Sequence, residues 1–416
     1  MKMDRRAAIK AIGGTALAAG LGAPALAADD EGLVNLAAAA RPITAEERLG
    51  RIERLQLQLR KSGIGAILVE AGSSLDYFTA IQWWRSERVT AALIPADGEP
   101  MVVTPFFEAP SIKEMLAIPA EVRTWDEHEN PMALVAGWLR ERRLAARPVA
   151  IEETTREFIR DGLQRQLPHA ALISGASQVR AVRMRKTAAE IALMQIANTI
   201  TLNALRYAAK RTQKGMTPAD ITALVVDATR RQGGDADGGL VLLGEAAAYP
   251  HGSRQRQEVR EGEVVLLDCG CRVHGYSSDI SRTFVYGEPS AEVRRVWNHV
   301  RKGQQIAHET ARIGVACGTV DDAVRRYYES VGFGPGYKLP GLSHRTGHGI
   351  GMDGHEPVNL VHLEQTRLDV GMCFSNEPGL YLPGKFGVRL EDCFTMTESG
   401  PRLFTELAPS IDKVFG

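Results

Sequence analysis

The 416-residue chain reads as two domains. An α/β domain covers about residues 45–175, and an α+β domain of two pseudo-symmetric halves covers 184–416. Three observations predict this. Helical and extended patterns alternate through the first part. In the second, the order helix, helix, acid-bearing hairpin occurs twice, and such internal repetition implies paired halves. The length also suits two domains or more.

The first 27 residues are set apart as a processing segment. Arg5-Arg6 precedes a Gly/Ala/Leu stretch that leads to Ala25-Leu26-Ala27, a small-x-small cleavage pattern. This is similar to a twin-arginine export signal, although Asp4 and Ala8 depart from the usual pattern, so a periplasmic location is expected. Its apolar part is too short and too Gly/Ala-rich for a membrane anchor. With 50 basic and 50 acidic residues the chain offers no basic stripe for nucleic acid.

Thr44-Ala-Glu-Glu47 is a capping box opening a helix with Leu49, Ile52, Leu55 and Leu59 at helical spacing. Ala66–Val69 reads as a buried strand, and strands near 89–94 and 101–104 flank Asp97-Gly98 as a hairpin. Helices near 131–144 and 155–165 alternate with strands at 149–151 and 171–173. Tyr77, Trp83, Trp84 and Arg85 are either core or a lip over a cleft. In the second domain, Thr187 opens a long helix to about Lys210, and Thr217-Pro218-Ala219-Asp220 starts another with proline at its first position. A helix over about 291–311 and one from Gly318 to Gly332 repeat the order.

Five cysteines, 269, 271, 317, 373 and 393, are too sparse and odd in number for a disulfide framework, and buried thiols are expected. The chemistry concentrates in the hairpins. The first carries Asp268 and Asp279, symmetric about Val273 and His274. The second carries Glu377 and Glu391, symmetric about Gly384. Between them lie Gly347-His348-Gly349-Ile350-Gly351 and His355-Glu356-Pro357. Hairpin pairing would bring each pair of acids within about 5 Å at the β-carbons. Like charges 4 Å apart cost on the order of 4 kcal/mol at an effective dielectric near 20. Two divalent cations would cancel the four charges. Oxygen-rich ligation with one imidazole favours manganese, with cobalt or zinc as alternatives. Two metals sharing a bridging hydroxide are a hydrolytic device.

These five residues, in this order, resemble the ligand set of the pita-bread metallopeptidases: methionine aminopeptidase, aminopeptidase P and prolidase, with creatinase as a metal-free relative. The similarity runs from about Met184 to the C-terminus, and a creatinase-like N-terminal domain extends it to about residue 45. All five ligand positions, Asp268, Asp279, His348, Glu377 and Glu391, are filled, which argues against creatinase-type chemistry. The resemblance implies a pita-bread catalytic domain and Glu377 as the acid or base. It implies His355 and His251 as catalytic contacts to substrate, and a homodimer. His344 would assist proton transfer or merely pack. Arg389 would orient a ligand carboxylate or bind the substrate's own. The expected activity is cleavage of the bond before proline in dipeptides or short peptides. Proline's tertiary amide lacks an N–H and fits ordinary subsites badly. The rivals are a catalytically inactive binding relative and a hydrolase of non-peptide amides.

Overall fold

The expected alternation of the first domain builds a mixed six-stranded sheet, its strands fed by short amphipathic helices. In the computed structural model, residues 32–236 and 238–415 are described, so the segment read as an export signal lies outside them. Helix α1 (Ala45–Lys61) starts on the Thr44/Glu47 capping box and buries Ile52, Leu55 and Leu59, each contributing about 1.5–3 kcal/mol of apolar burial. It is followed by β1 (Ala66–Glu70), α2 (Ser73–Thr79), β2 (Ala91–Pro95), β3 (Met101–Pro105), α3 (Ala109–Met115) and β4 (Glu121–Trp125). Then come α4 (Pro131–Glu141), β5 (Val149–Ile151), α5 (Glu157–Gln166) and β6 (Leu172–Ser174). The strand order is β4-β3-β2-β1-β5-β6. The β2–β3 hairpin brackets Asp97-Gly98 as expected.

After the connector helix α6 (Ala176–Arg183), the larger domain opens with α7 (Ala188–Arg211) and α8 (Pro218–Arg231), both on capping boxes. Strands β7 (Asp235–Ala236), β8 (Leu240–Leu243), β9 (Val264–Cys269), β10 (Cys271–Val273), β11 (Tyr276–Ser277) and β12 (Ile280–Val285) complete the first half. The second half repeats the order. Helices α9 (Ala291–Thr310) and α10 (Cys317–Ser330) precede β13 (Gly347–Gly349), β14 (Glu356–Leu360) and β15 (Cys373–Asn376). The last strands are β16 (Gly379–Leu382), β17 (Phe386–Arg389), β18 (Asp392–Thr397) and β19 (Gly400–Leu403). The halves present sheets ordered β12-β9-β8 and β14-β13-β15-β18-β19, and β17 lies against β9 and β12. One apolar cluster runs from α1 and β1 into α7 and the tip residues Val273 and Tyr276. Buried Arg51 on α1 donates to the Tyr276 hydroxyl (2.7 Å) and pairs with Glu190 on α7 (3.3 Å), so a charge-assisted network fastens that tip to the N-terminal domain.

One expectation, the register of the first hairpin, needs correction. The second hairpin pairs Gly379 with Arg389 and Asn376 with Asp392, a register in which Glu377 and Glu391 face each other as predicted. In the first, Asp268 faces Ser281 rather than Asp279. The turn is centred on His274 and Gly275, both with positive φ (47° and 83°), one residue later than the symmetric reading places it. Positive φ at both central positions suits a two-residue primed turn, and glycine carries the second position at no steric cost. That shift moves Asp279 past the strand end. As for the aromatic group, Tyr77 is core beneath Arg51. Trp83 stacks on the 71 % exposed Trp84, and Arg85 donates to the Ala71 carbonyl oxygen. None of the four lines the cleft described below, so they form no lip over it within this chain. All five cysteines are buried, as expected.

Candidate metal centre

Each acid reaches the centre from a break in a strand. Asp268 is the last residue but one of β9, and just beyond the strand stands Gly270, where any Cβ would lie 2.3 Å from the Ser278 carbonyl oxygen, so only glycine lets the chain pass beside Asp279. Glu377 and Glu391 sit in the short links between β15 and β16 and between β17 and β18. Asp392, next to Glu391, turns the other way into a buried pair with Arg282 (2.7 Å). Of two consecutive acids, only Glu391 faces the centre.

The five predicted ligands converge. His348 Nε2 lies 3.4 Å from Glu377 Oε1, 3.7 Å from Asp279 Oδ2 and 3.9 Å from Glu391 Oε1. Asp268, Asp279 and Glu391 form a second group whose oxygens all fall within 4.8 Å. They line a cavity of about 640 Å³, together with His251, His344, His355, Arg345 and Arg389. His355 stacks edge-on against His348, ring centroids 4.1 Å apart, while His251 is exposed at the rim.

The electrostatics fit a cation site. Burial and the neighbouring carboxylates push Asp279 and Glu391 well above the usual range, and burial with Asp268 nearby pushes Glu377 up to about 7. Burial holds His348 down to about 3, so its imidazole is neutral. Its Nδ1–H donates to the Gly349 carbonyl oxygen (3.0 Å), which leaves the Nε2 lone pair aimed at the acids, the usual arrangement of a ligating histidine. Glu391 Oε2 accepts from Ser281 (2.7 Å), but Oε1 is buried with no partner. A buried carboxylate oxygen left so costs about 1–3 kcal/mol or more, and a divalent cation is the group the donor set suits.

Around the ligands, Arg389 donates to Asp268, to Ser281 Oγ (3.1 Å), to the Tyr381 hydroxyl (2.9 Å) and to the Pro250 carbonyl oxygen (3.2 Å). Its guanidinium is committed to the protein, which supports the orienting role over binding of a substrate carboxylate. His344 is half-buried, and desolvation holds it neutral, at about 3. It takes one hydrogen bond from Tyr381 (2.7 Å) and gives one to the Arg345 carbonyl oxygen (2.7 Å).

The sequence reading missed three supports. Glu356, beside His355, is buried against Lys186 (2.9 Å) and Arg183 (2.6 Å), and Arg183 also donates to Ser74 of the N-terminal domain (2.9 Å). Asp321 on α10 pairs with Arg325 (2.6 Å) and accepts from the Thr346 backbone (3.0 Å). The third is Tyr381. An acid and a base on separate elements leave no spacing signature. Only the Asp321/Arg325 step of four, on a helix, was open to a reader.

Residues 192–398 match metallopeptidase family M24, and residues 51–185 match the creatinase/prolidase N-terminal domain. The chain is 30 % identical to an Xaa-Pro dipeptidase of Lactobacillus helveticus, over 85 % of this chain and 96 % of that protein. It is 32 % identical to an uncharacterized peptidase of Schizosaccharomyces pombe, covering 83 % and 79 %. Among solved structures it superposes on the dipeptidase PepE of Mycobacterium ulcerans with a TM-score of 0.79 at 28 % identity, covering 88 % and 97 %. A recombinant prolidase from Thermococcus sibiricus gives a TM-score of 0.78 at 27 % identity, covering 86 % and 96 %.

Proposed function

The chain belongs to metallopeptidase family M24, with a creatinase/prolidase-type N-terminal domain and the mixed α/β architecture of the pita-bread prolidases, and on that premise we propose that it hydrolyses the Xaa-Pro bond of dipeptides or short peptides. The observation that carries the reading is the unpartnered, buried Oε1 of Glu391 beside His348 and Glu377. Asp268, Asp279, His348, Glu377 and Glu391 would hold two divalent cations, manganese first and cobalt or zinc as alternatives. Bound there, they supply a polarised scissile carbonyl and a lowered pKa for the attacking water.

The chain's own groups divide the remaining work. Glu377, at the edge of the cavity beside His348, can take a proton from water and return it to the leaving nitrogen. His355, kept neutral by burial and by Arg345, can donate a hydrogen bond to charge developing on the carbonyl oxygen. His251 at the rim offers a second contact. Arg389 fixes Asp268 through its fork and holds Tyr381 against His344.

The test is a panel of Gly-Pro, Ala-Pro and Xaa-Pro-Xaa peptides against simple amides, on metal-stripped enzyme with manganese, cobalt or zinc added back. Cleavage confined to Xaa-Pro bonds is expected. Cleavage of simple amides alone would favour the non-peptide hydrolase, and a metal content below one ion per chain with no turnover the inactive relative. Asp279→Ala and Glu377→Ala should lose metal and activity together. His355→Ala should keep metal and lose on the order of 100-fold in turnover. Equal metal loss in all three would refute this division of roles. Export by residues 1–27 and a homodimer belong to the same reading, and periplasmic recovery of the processed chain and its native mass test them.

A further inference from the structure

Asp279 stands where the chain passes from one sheet to another. Ile280 begins β12, which pairs with β9 along six residues, whereas β10 and β11 belong to a separate three-stranded sheet. The tip beyond the break is small. Strand β10 has three residues and β11 two, and across the turn only Arg272 pairs with Ser277 and Val273 with Tyr276. Pairing of that length holds little by itself. The direction in which Asp279 leaves the break therefore depends on what the tip is docked against.

It is docked on the N-terminal domain through charge. Arg51 of α1 and Glu190 of α7, each 1 % exposed at the side chain, close a triad on the Tyr276 hydroxyl. That hydroxyl accepts from Arg51 (2.7 Å) and donates to Glu190 (2.8 Å). Arg51 also donates to the Tyr77 carbonyl oxygen (2.8 Å), and the Tyr77 ring lies 4.0 Å from its guanidinium carbon. A buried ion pair of this kind is weak evidence for stability, because desolvation offsets the attraction. What it supplies is direction, since a planar fork accepts its partners in one orientation. Asp279 is three residues beyond Tyr276, and both residues between are fixed. Ser277 N donates to the Gly351 carbonyl oxygen (2.7 Å), and Ser278 Oγ bonds Thr201 Oγ1 (2.7 Å). Gly351 lies between His348 and His355, so the same tip braces the segment carrying the histidine ligand. Asp268 and Glu391 are oriented from within the catalytic domain, by Arg389 and Ser281, whereas Asp279 is oriented in part from outside it.

We propose that Arg51, a residue of the N-terminal domain, is a positioning residue for the metal centre. Through the Tyr276 hydroxyl it sets the direction in which Asp279 enters the ligand set, and with it the affinity for the cations. This rests on the metal centre of the reading above.

The experiment uses the full chain stripped of metal. Manganese is titrated calorimetrically, and cobalt is followed by its visible absorption, whose bands report coordination geometry. Tyr276→Phe keeps the ring and the Arg51–Glu190 pair and removes one hydroxyl. It should weaken manganese binding about 10-fold and change the cobalt spectrum, as loss of a ligand's outer partner does. The stripped variant should melt close to stripped wild type. Arg51→Lys keeps the charge without the fork, and its affinity should fall between wild type and Arg51→Met. Because both residues act through one hydrogen bond, the double variant Arg51→Met/Tyr276→Phe should bind within about twofold of the weaker single variant. Leu163→Ala, in the other apolar cluster of the N-terminal domain, lowers stability but should leave affinity and spectrum unchanged, which separates positioning from general loosening. Wild-type affinity and an unaltered cobalt spectrum in both Tyr276→Phe and Arg51→Met overturn the proposal. Wild type that takes up no cation sinks the metal reading itself, and this inference with it, before any variant is compared.

Discussion

Two buried glutamates in the same domain meet opposite fates. Glu356 and Glu391 are 6 % and 2 % exposed, so burial opposes ionisation in both. Around Glu356 the chain supplies its own cations, Lys186 and Arg183, and these outweigh burial to hold the carboxyl at about 2. Around Glu391 it supplies Asp279, Glu377 and Asp268 instead, and burial with those neighbours drives the carboxyl up. Glu356 is a structural clamp with its charge already matched. Glu391 belongs to a cluster whose charge balance has to come from outside the polypeptide. The difference explains why one acid can tie two domains together while the other can hold a metal.

The largest effect expected from this contrast is at Glu391. Glu391→Gln should abolish metal binding and lower activity on the order of 10⁴-fold, since in the proposed function the attacking water is activated by bound cations. Yet the metal-stripped variant should melt at or above the temperature of stripped wild type, because an unpartnered buried acid has gone. A lower melting temperature would contradict the assignment of Glu391 as an uncompensated group. Glu356→Gln should behave the other way. It leaves Lys186 and Arg183 without their acid and should cost about 3–5 kcal/mol of stability in chemical denaturation, with or without metal.

The pH dependence sharpens the same point. Glu356 is depressed from 4.5 to about 2. Its contribution, about 3 kcal/mol, is therefore present above pH 4.5 and lost as pH falls toward 2. Glu377 is raised from 4.5 to about 7, so ionising it in the fold is unfavourable. Metal-stripped protein should lose stability as pH rises from about 4.5 to 7, and added metal should remove that slope. Denaturation midpoints measured across pH 2–8 with and without manganese check both signs. The smallest effects concern the hairpins. Gly270→Ala puts a Cβ against the Ser278 carbonyl oxygen and should cost about 1–3 kcal/mol and some metal affinity. Gly384→Ala meets open space at a φ of 74° and should cost only about 1 kcal/mol, read as a melting shift with metal affinity unchanged.

Much of this architecture could be read in advance because its causes are local. The capping boxes at Thr44, Thr187 and Thr217 announce helices, since the groups that satisfy each other are three residues apart. The second hairpin could be registered from Gly384 alone. The first could not, because the choice between a turn at Val273-His274 and one at His274-Gly275 rests on which residues accept positive φ. The clamp at Glu356 joins residues 170 apart in the chain, and the Arg183 link to Ser74 spans 109. No periodicity carries such pairs.

The candidate ligand residues could be read from the order of side-chain chemistry along the polymer: a pair of acids in each of two hairpins and a histidine between glycines. Which acids are left without a partner, and which arginine is tied to an acid, depends on what packs around each group. Charge compensation and desolvation are set by neighbours within a few ångströms in space. Those neighbours come from helices and strands far apart in the chain, so only the folded arrangement separates Arg389, committed to Asp268, from Arg345, whose side chain is held by Asn359.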